Sequence, residues 1–520
     1  MTLSKDVYRE FEDVIGTENI SEEPAVLDGY AFQPFIGLFA GRYLTRPEAV
    51  VLPGSTADVQ AVVKICNRRG IRFKAFCTGY GAHNAVGSEN TILLDLRRMN
   101  RILDLDEKNM TVVVEPYVSF AQVQVEAMKR GLCCHVIAAG SQTSFLASHT
   151  SMHGNNILAI SHGYSGRNVL GAEWVLPTGE ILRLGSLGSG AGWFSPDGPG
   201  PSLRGIMRGA LGALGGLGVF TKCAGHLHPW PGPTEMEVKG ISPDYEGEVP
   251  PYFEYHICEF PTWEDYGEAL YKIGEAGIGY ALHKTGGPGT HGACVTGSNN
   301  EYYAKRRTGE FGIPRISFSI VLACNTPKEH AFQVKVLDKI LAETGGKFSP
   351  IGEEPAFKNR DFLTMIKACF IPRLAFRLTG TFGVDGMLGM DTMDAAALGL
   401  KINEGHRDKY AAKGTIMDDG TLNSWGVPME GTHMALFECG AQFNSTNDES
   451  ISGMEEMMKE GKEICLKTPF SYSWAVRGTE ELDKLGPLCF NYQNWMRKIK
   501  KAFDPNTASD PTGYIMTEEK

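Results

Sequence analysis

Residues Phe76-Cys77-Thr78-Gly79-Tyr80-Gly81-Ala82-His83-Asn84 decide how this chain is read. They follow a short apolar stretch at 71–75, and a second one, Thr91-Ile92-Leu93-Leu94-Asp95-Leu96, comes soon after. Two glycines at i and i+2 let the backbone turn tightly and aim its N–H groups at an anion such as a diphosphate. A βαβ dinucleotide fingerprint needs a third glycine and then a helix. Here Asn84 takes the third place, and an Asp-containing strand stands where the helix belongs. The stretch is either a glycine-rich anion loop between strands or an ordinary tight turn, and alone it leaves both readings open.

Upstream, residues 46–53 read as a strand running into a turn at Pro53-Gly54. Ser55 or Thr56 caps a helix over 57–67, and a strand at 71–75 delivers the chain to the loop. Residues 5–16 read as a helix and 17–48 as irregular. Downstream come a β-branched strand at 111–115 and a helix at 120–130. A long loop at 138–168 follows, rich in Gly, Ser, His and Asn, and its donors suggest ligand contact. A hairpin pairs 169–175 with 180–184. A second glycine- and proline-rich loop at 185–201 precedes a helix at 202–210. Small residues at 212–218 then allow close backbone approach before a strand at 218–222.

Pro229-Trp230-Pro231-Gly232-Pro233 marks a boundary. Beyond it, strands at 252–260 and 317–323 each lead into a helix, at 263–276 and 329–344. That pattern predicts an α+β unit with helices on one face of an antiparallel sheet. Residues 350–430 give no clear pattern. A strand is expected at 432–443, and helices at 449–466 and 495–503.

At 520 residues the chain is too long for one typical core. A net charge of −11 argues against a nucleic-acid partner. Twelve cysteines without a CxxC pair fit neither a zinc ribbon nor an iron–sulfur ligand set, so no metal site is expected. The N-terminus shows no secretory pattern, which predicts a cytoplasmic protein with free thiols. No apolar run approaches the roughly 20 residues that span a bilayer.

The order of these parts resembles the FAD-binding oxidoreductases of the vanillyl-alcohol oxidase / p-cresol methylhydroxylase (PCMH) superfamily. Within it, the likeness is to the glycolate oxidase, D-lactate dehydrogenase and alkyl-dihydroxyacetonephosphate synthase branch. Five segments carry it: 46–67; 78–84 with Leu93-Leu94-Asp95-Leu96 and Met99-Asn100-Arg101-Ile102; 168–185; 199–221; and 499–511. The resemblance implies an α+β, two-domain PCMH-type FAD-binding fold. Its FAD domain covers 1–229, an α+β cap covers 230–485, and 486–520 returns to the FAD domain. FAD contacts are implied for Thr78, Gly79, Tyr80, Gly81, Ala82, His83 and Asn84. They are also implied for Gly140, Ser141, Ser144, Phe145, Ala147, Ser148 and His149, for Gly215, Gly218 and Val219, and for Asn491 in the returning segment. The chain departs from the pattern at three places. Cys77 or Thr78 replaces the loop arginine, Ser144–Ser148 lacks the usual glycines, and Gly212–Gly218 replaces the usual acidic glycine segment. His83 sits one place past the histidine that carries flavin covalently in some relatives.

The implied function is FAD-dependent oxidation of a small organic alcohol or hydroxy acid by hydride transfer to flavin N5. Electrons would pass to a partner protein, such as an iron–sulfur subunit, or to another acceptor. The alternatives are a redox-neutral flavin synthase of the alkyl-dihydroxyacetonephosphate type and an FAD-bearing electron-transfer subunit, and a homodimer is possible in each case. Such chemistry needs a base for the hydroxyl proton. A carboxylate substrate also needs an arginine fork. The candidates are His433 and Glu438, read as lying on one strand with opposite parity, and Arg373 and Arg377, spaced i, i+4. His149 and His153 share that spacing, but their flanks do not predict a helix.

Overall fold

The computed structural model describes residues 3–33, 42–79, 84–135, 140–152, 154–198, 202, 204–207, 212–240, 247–285, 292, 296–308, 310, 314–367, 377–379, 381–418, 425–468 and 478–518. Two sheets form the N-terminal half. In the first, Ile20–Ser21, Val50–Val51, Thr91–Asp95 and Arg72–Phe76 lie side by side, and the last three are parallel. The helix Thr56–Arg69 supplies the crossover from Val50–Val51 to Arg72–Phe76, the two strands that flank Thr91–Asp95. Ser55 caps its N-terminus, and Gly70, in the left-handed conformation, ends it. Thr91–Asp95 is buried throughout, as befits a strand covered on both faces.

The second sheet is antiparallel, in the order Ile181–Gly185, Val169–Val175, Val219–His226, Thr111–Val114, Ile102–Asp106. The helix Phe120–Met128 begins with a reciprocal capping box between Ser119 and Gln122 and buries Phe120 and Val123 under this sheet.

The chain end is built into this half. Ser509 forms a parallel bridge with Phe73, and its Oγ accepts the Gly218 N–H at 2.8 Å. Lys500, fully buried, donates to Gly216 O at 2.7 Å and Ser509 O at 3.1 Å and pairs with buried Asp504. Breaking a buried ion pair leaves its partner uncompensated. Lys500→Met is therefore expected to cost about 3–5 kcal/mol of unfolding free energy in a denaturant titration. A loss under about 1 kcal/mol would show that the pair carries no such burden.

The C-terminal half holds two further antiparallel sheets. One orders Ala281–Lys284, Ser317–Ala323, Phe253–Glu259 and Lys347–Phe348; the other orders Phe382–Asp391, Met434–Gln442 and Trp425–Met429. Helices Trp263–Ala276, Pro327–Glu343 and Met393–Ala412 cover one side of these sheets, where Leu270, Leu341, Leu400, Phe437 and Phe318 share a core. The chain thus has an α+β architecture, with helices laid against mixed and antiparallel sheets in both halves.

Several local expectations are corrected. Residues 17–48 contain a helix, Pro24–Ala31, started by a proline in its first turn. The strand expected at 46–53 shrinks to Val50–Val51. The long loop at 138–168 contains three short helices, Phe145–Thr150, Ala159–His162 and Ser165–Asn168. The unreadable 350–430 region holds Pro355–Lys367, Phe382–Asp391, Met393–Ala412 and Trp425–Met429. Helix Met393–Ala412 buries Asn403, His406 and Arg407 beside Leu400, so its inner face is not apolar and no clean period survives. Strand Phe382–Asp391 is broken by a bulge between Val384 and Leu388, where buried Asp385 accepts from Asn403. The helix expected at 202–210 is described only as Arg204–Met207.

Candidate functional site

Strand Arg72–Phe76 runs into Cys77, Thr78 and Gly79, the described part of the glycine loop. Gly79 has φ 71°, and Asn84 Nδ2 donates to its carbonyl at 2.7 Å, so the two ends of the loop are held together. Thr78 Oγ1 accepts the Ser144 N–H at 3.1 Å, which ties this loop to the start of helix Phe145–Thr150. Ser144 Oγ in turn accepts from Ala147 N at 3.0 Å and donates to Pro116 O.

The facing wall is Leu214, Gly215, Gly218 and Phe220. Gly218 has φ 90°, and a Cβ there would lie 2.3 Å from Val175 O, so only glycine fits. Trp174 Nε1 pins the adjoining backbone by donating to Leu217 O at 2.6 Å.

Between these walls lies a cleft with about 890 Å³ of empty space, part of it open to solvent. Its lining is small and backbone-rich: Thr78, Gly79, Ala147, Ser148, Gly215 and Gly218. No carboxylate lines it, and the one cation is Lys74, among the described residues. Lys74 is 4% exposed, donates to Ala85 O at 2.6 Å and lies 3.7 Å from Asp510. Burial lowers its pKa, and Asp510 works against that shift. Burial pushes the Cys77 thiol up to about 12, so this side chain stays neutral. A diphosphate with aromatic rings at either end suits this lining. Glycine backbone approaches the anion, nothing repels it, and Leu146, Met152, Leu214 and Phe220 offer apolar contact.

Of the residues implied by resemblance, Thr78, Gly79, Asn84, Ser144, Ala147, Ser148, Gly215 and Gly218 come together in this cleft. Gly140 and Ser141 stand behind it. Gly140 O accepts from Thr143, and Ser141 O accepts the Ala121 N–H at 2.9 Å. Phe145 and His149 lie under the floor rather than in the cleft, both fully buried. Their rings are 4.1 Å apart, and His149 Nδ1 bonds Phe145 O at 2.7 Å. His149 therefore sits on a helix, against the sequence expectation. The helix was not legible because it lasts only six residues, too short for a period to show, despite its Ser144 cap. Val219 points into the core beside Val51 and Phe73. Asn491 is exposed at the start of the last helix with φ 58° and does not line the cleft, which corrects its assignment. Tyr80, Gly81, Ala82, His83, His153 and Arg373 lie outside the described residues. Sequence reasoning missed Lys74, Thr143, Ser151, Met152 and Leu214. Lys74, between Phe73 and Ala75 in the strand that enters the loop, was the available signal.

In the cap, Met434–Gln442 is the central strand of its sheet, and its alternation is regular over 435–438. Ala435, Phe437 and Cys439 face the helices. Leu436 faces the other way, packing with Ala159 and against Tyr164 of the N-terminal half. Glu438 shares the side of Leu436, opposite Trp425 and Leu388 in the neighbouring strands. His433 is not on this strand. It is exposed in the turn before it, where its N–H donates to Glu430 O at 3.2 Å. Arg377 spends its donors inside the cap. Nε and Nη2 bond Asn299 Oδ1 and Thr296 Oγ1, each at 2.8 Å, and Nη1 bonds Thr296 O.

Comparison with known proteins defines the class. Residues 47–185 match the family model "FAD binding domain". The chain is 25% identical over 232 residues to glycolate oxidase subunit GlcD of Bacillus subtilis, covering 44% of this chain and 46% of that one. It is 28% identical over 219 residues to a D-lactate dehydrogenase of Anaerostipes hadrus, covering 41% and 43%. The matches span about half the length of these curated relatives. The 4-ethylphenol oxidase from Gulosibacter chungangensis superposes with a TM-score of 0.72 at 20% identity, covering 98% of this chain and 97% of that one. A p-cresol methylhydroxylase structure superposes with a TM-score of 0.70 at 16% identity, covering 98% and 97%. The chain carries an FAD-binding domain, and its cofactor is FAD. Its fold is the one these PCMH-type structures share. No described helix is long and apolar enough to cross a membrane.

Proposed function

We propose that the chain is an FAD-dependent oxidoreductase that oxidises a small organic alcohol or hydroxy acid. Electrons then pass to a partner protein or another acceptor. The observation that carries the reading is the carboxylate-free cleft walled by Gly79, Gly215 and Gly218 with one buried cation. In this reading, backbone around Thr78–Gly79 and Gly215–Gly218 holds the diphosphate, and Lys74 supplies the compensating charge. FAD, when bound, supplies the acceptor for the substrate hydride. Glu438 takes the hydroxyl proton. Its support is its place on the sheet side that meets the N-terminal half, a position His433 lacks. Arg377 orders the Thr296–Asn299 segment. The relatives named for glycolate and D-lactate and the structure named for 4-ethylphenol supply the two substrate classes to try.

The test is anaerobic mixing of the FAD-loaded protein with a panel of 2-hydroxy acids and phenolic or benzylic alcohols, following flavin absorbance. Bleaching by one class is the expected result and names the substrate. A flavin that no member of either class reduces would overturn the reading in favour of a redox-neutral synthase or an electron-transfer subunit.

A further inference from the structure

The last helix, Tyr492–Phe503, is preceded by a short turn that holds its side chains outward. Asn491 N donates to Gly486 O at 2.9 Å and Asn494 N to Asn491 O at 3.0 Å, which fixes the turn's shape. Phe490 and Asn491 both adopt left-handed backbone, with φ 56° and 58°. For a phenylalanine this conformation is strained. Phe490 is completely exposed, at 101%, with Leu488 at 63% and Trp495 at 64% close in sequence. Three large apolar side chains exposed within residues 488–495 stand apart from the scattered singles normal on a protein surface.

The last helix itself is charged one way, while the helix before it, Gly478–Leu485, carries Glu480, Glu481 and Asp483. Tyr492–Phe503 contains no carboxylate. Two of its cations are consumed internally: Arg497 pairs with Asp483, and Lys500 with Asp504. Lys498 and Lys501 stay exposed and make no ion pair among the described residues. Trp495, Lys498 and Lys501 repeat at i, i+3 and i+6, so the helix shows solvent an indole and two ammonium groups along one side. Lys498 Nζ lies 5.7 Å from the Trp495 ring centre.

We infer that this segment is a docking point for an anionic lipid surface. A Phe/Leu tip inserts below the headgroups, Trp495 lies at the interface, and Lys498 and Lys501 meet the lipid phosphates. Tryptophan with lysine at its flank is interfacial chemistry, and lysines near an anionic leaflet are drawn to it. A protein partner fits the feature less well. A standard interface buries about 800 Å² per partner, more than three protruding side chains supply. The chain's net charge of −11 makes the local reversal necessary, because the rest of the surface is repelled by the same leaflet.

The experiment is co-sedimentation of the FAD-loaded protein with extruded vesicles. One set is phosphatidylcholine alone; the other contains about one-third phosphatidylserine. The expected result is binding to the anionic vesicles that weakens with salt. Substituting Leu488, Phe490 and Trp495 together by serine should reduce it about tenfold or more, with flavin spectrum and melting temperature unchanged. Sedimentation that is absent, or equal for both proteins, would overturn the inference. So would concentration-dependent dimerisation lost in the triple variant without vesicle binding, which would assign the tip to a second copy of the chain.

Discussion

Glu438→Gln lowers the rate of substrate-driven flavin bleaching about a hundredfold or more, while flavin spectrum and affinity stay as in the parent protein. Glutamine keeps the length and shape of the side chain, so strand packing against Trp425 and Leu388 is preserved. It cannot accept the hydroxyl proton, so the chemical step is slowed and binding is spared. His433→Gln is the internal control. It alters an exposed turn residue and should change the rate less than about twofold. The measurement is single-turnover bleaching with a substrate that the panel identifies. A Glu438→Gln protein with parental rate would remove Glu438 from the mechanism and return the search for a base to residues outside the described set.

The second large effect is acid lability. His135, His162, His226 and His228 gather where the N-terminal half meets the first cap strands. His162 and His228 have ring centres 4.0 Å apart, and His226 and His228 are 4.5 Å apart. His135 and His149 stand 4.8 Å apart. Their neighbours are neutral. His135 meets Ser165, His228 meets Asn168, and His162 meets Ser161, the Cys133 thiol and the Tyr280 ring. No carboxylate bonds to these four rings among the described residues. Burial lowers the pKa of all four, with neighbouring histidines adding for His135, His162 and His228. His162 falls to about 4 and His228 to about 2.

The sign follows from linkage. Histidines of the unfolded chain protonate as pH falls through about 6.5, whereas the folded chain keeps these neutral. Stability is full above that pH and drains below it. Each fully held histidine costs about 1.4 kcal/mol per pH unit. By about pH 4.5, His135, His162 and His228 together withdraw several kcal/mol, a large share of a typical 5–15 kcal/mol. The unfolding midpoint should therefore drop steeply between about pH 6.5 and 4.5, and His228→Gln should flatten that slope. A midpoint constant over this range would contradict the neutral, buried cluster.

The elements legible in the sequence are those with one clear local signal. Thr56–Arg69 has its serine cap and terminal glycine, and Trp263–Ala276 has Thr262 before it and Gly277 after it. The cleft was legible through glycine spacing, which marks where backbone must approach a ligand. Lys74 was not, because its meaning depends on Asp510, brought in from the other end of the chain. Strand Phe382–Asp391 was unreadable because a bulge breaks its period, and Met393–Ala412 because buried polar residues share its inner face. His433 was placed on the strand because its start was expected at 432, two residues before Met434. Gly431 and Thr432, both with positive φ, make a turn there that the apolar pattern does not reveal.

The central claim is that the cleft between Gly79 and Gly215 holds FAD. The most direct measurement is the visible spectrum of the purified protein after incubation with FAD and gel filtration, repeated on the supernatant after acid precipitation. A flavin spectrum at one equivalent per chain, weakened by Lys74→Met or by Gly215→Val, is the predicted result. A colourless protein that retains no FAD would contradict the account and reduce the glycine loop to an ordinary turn.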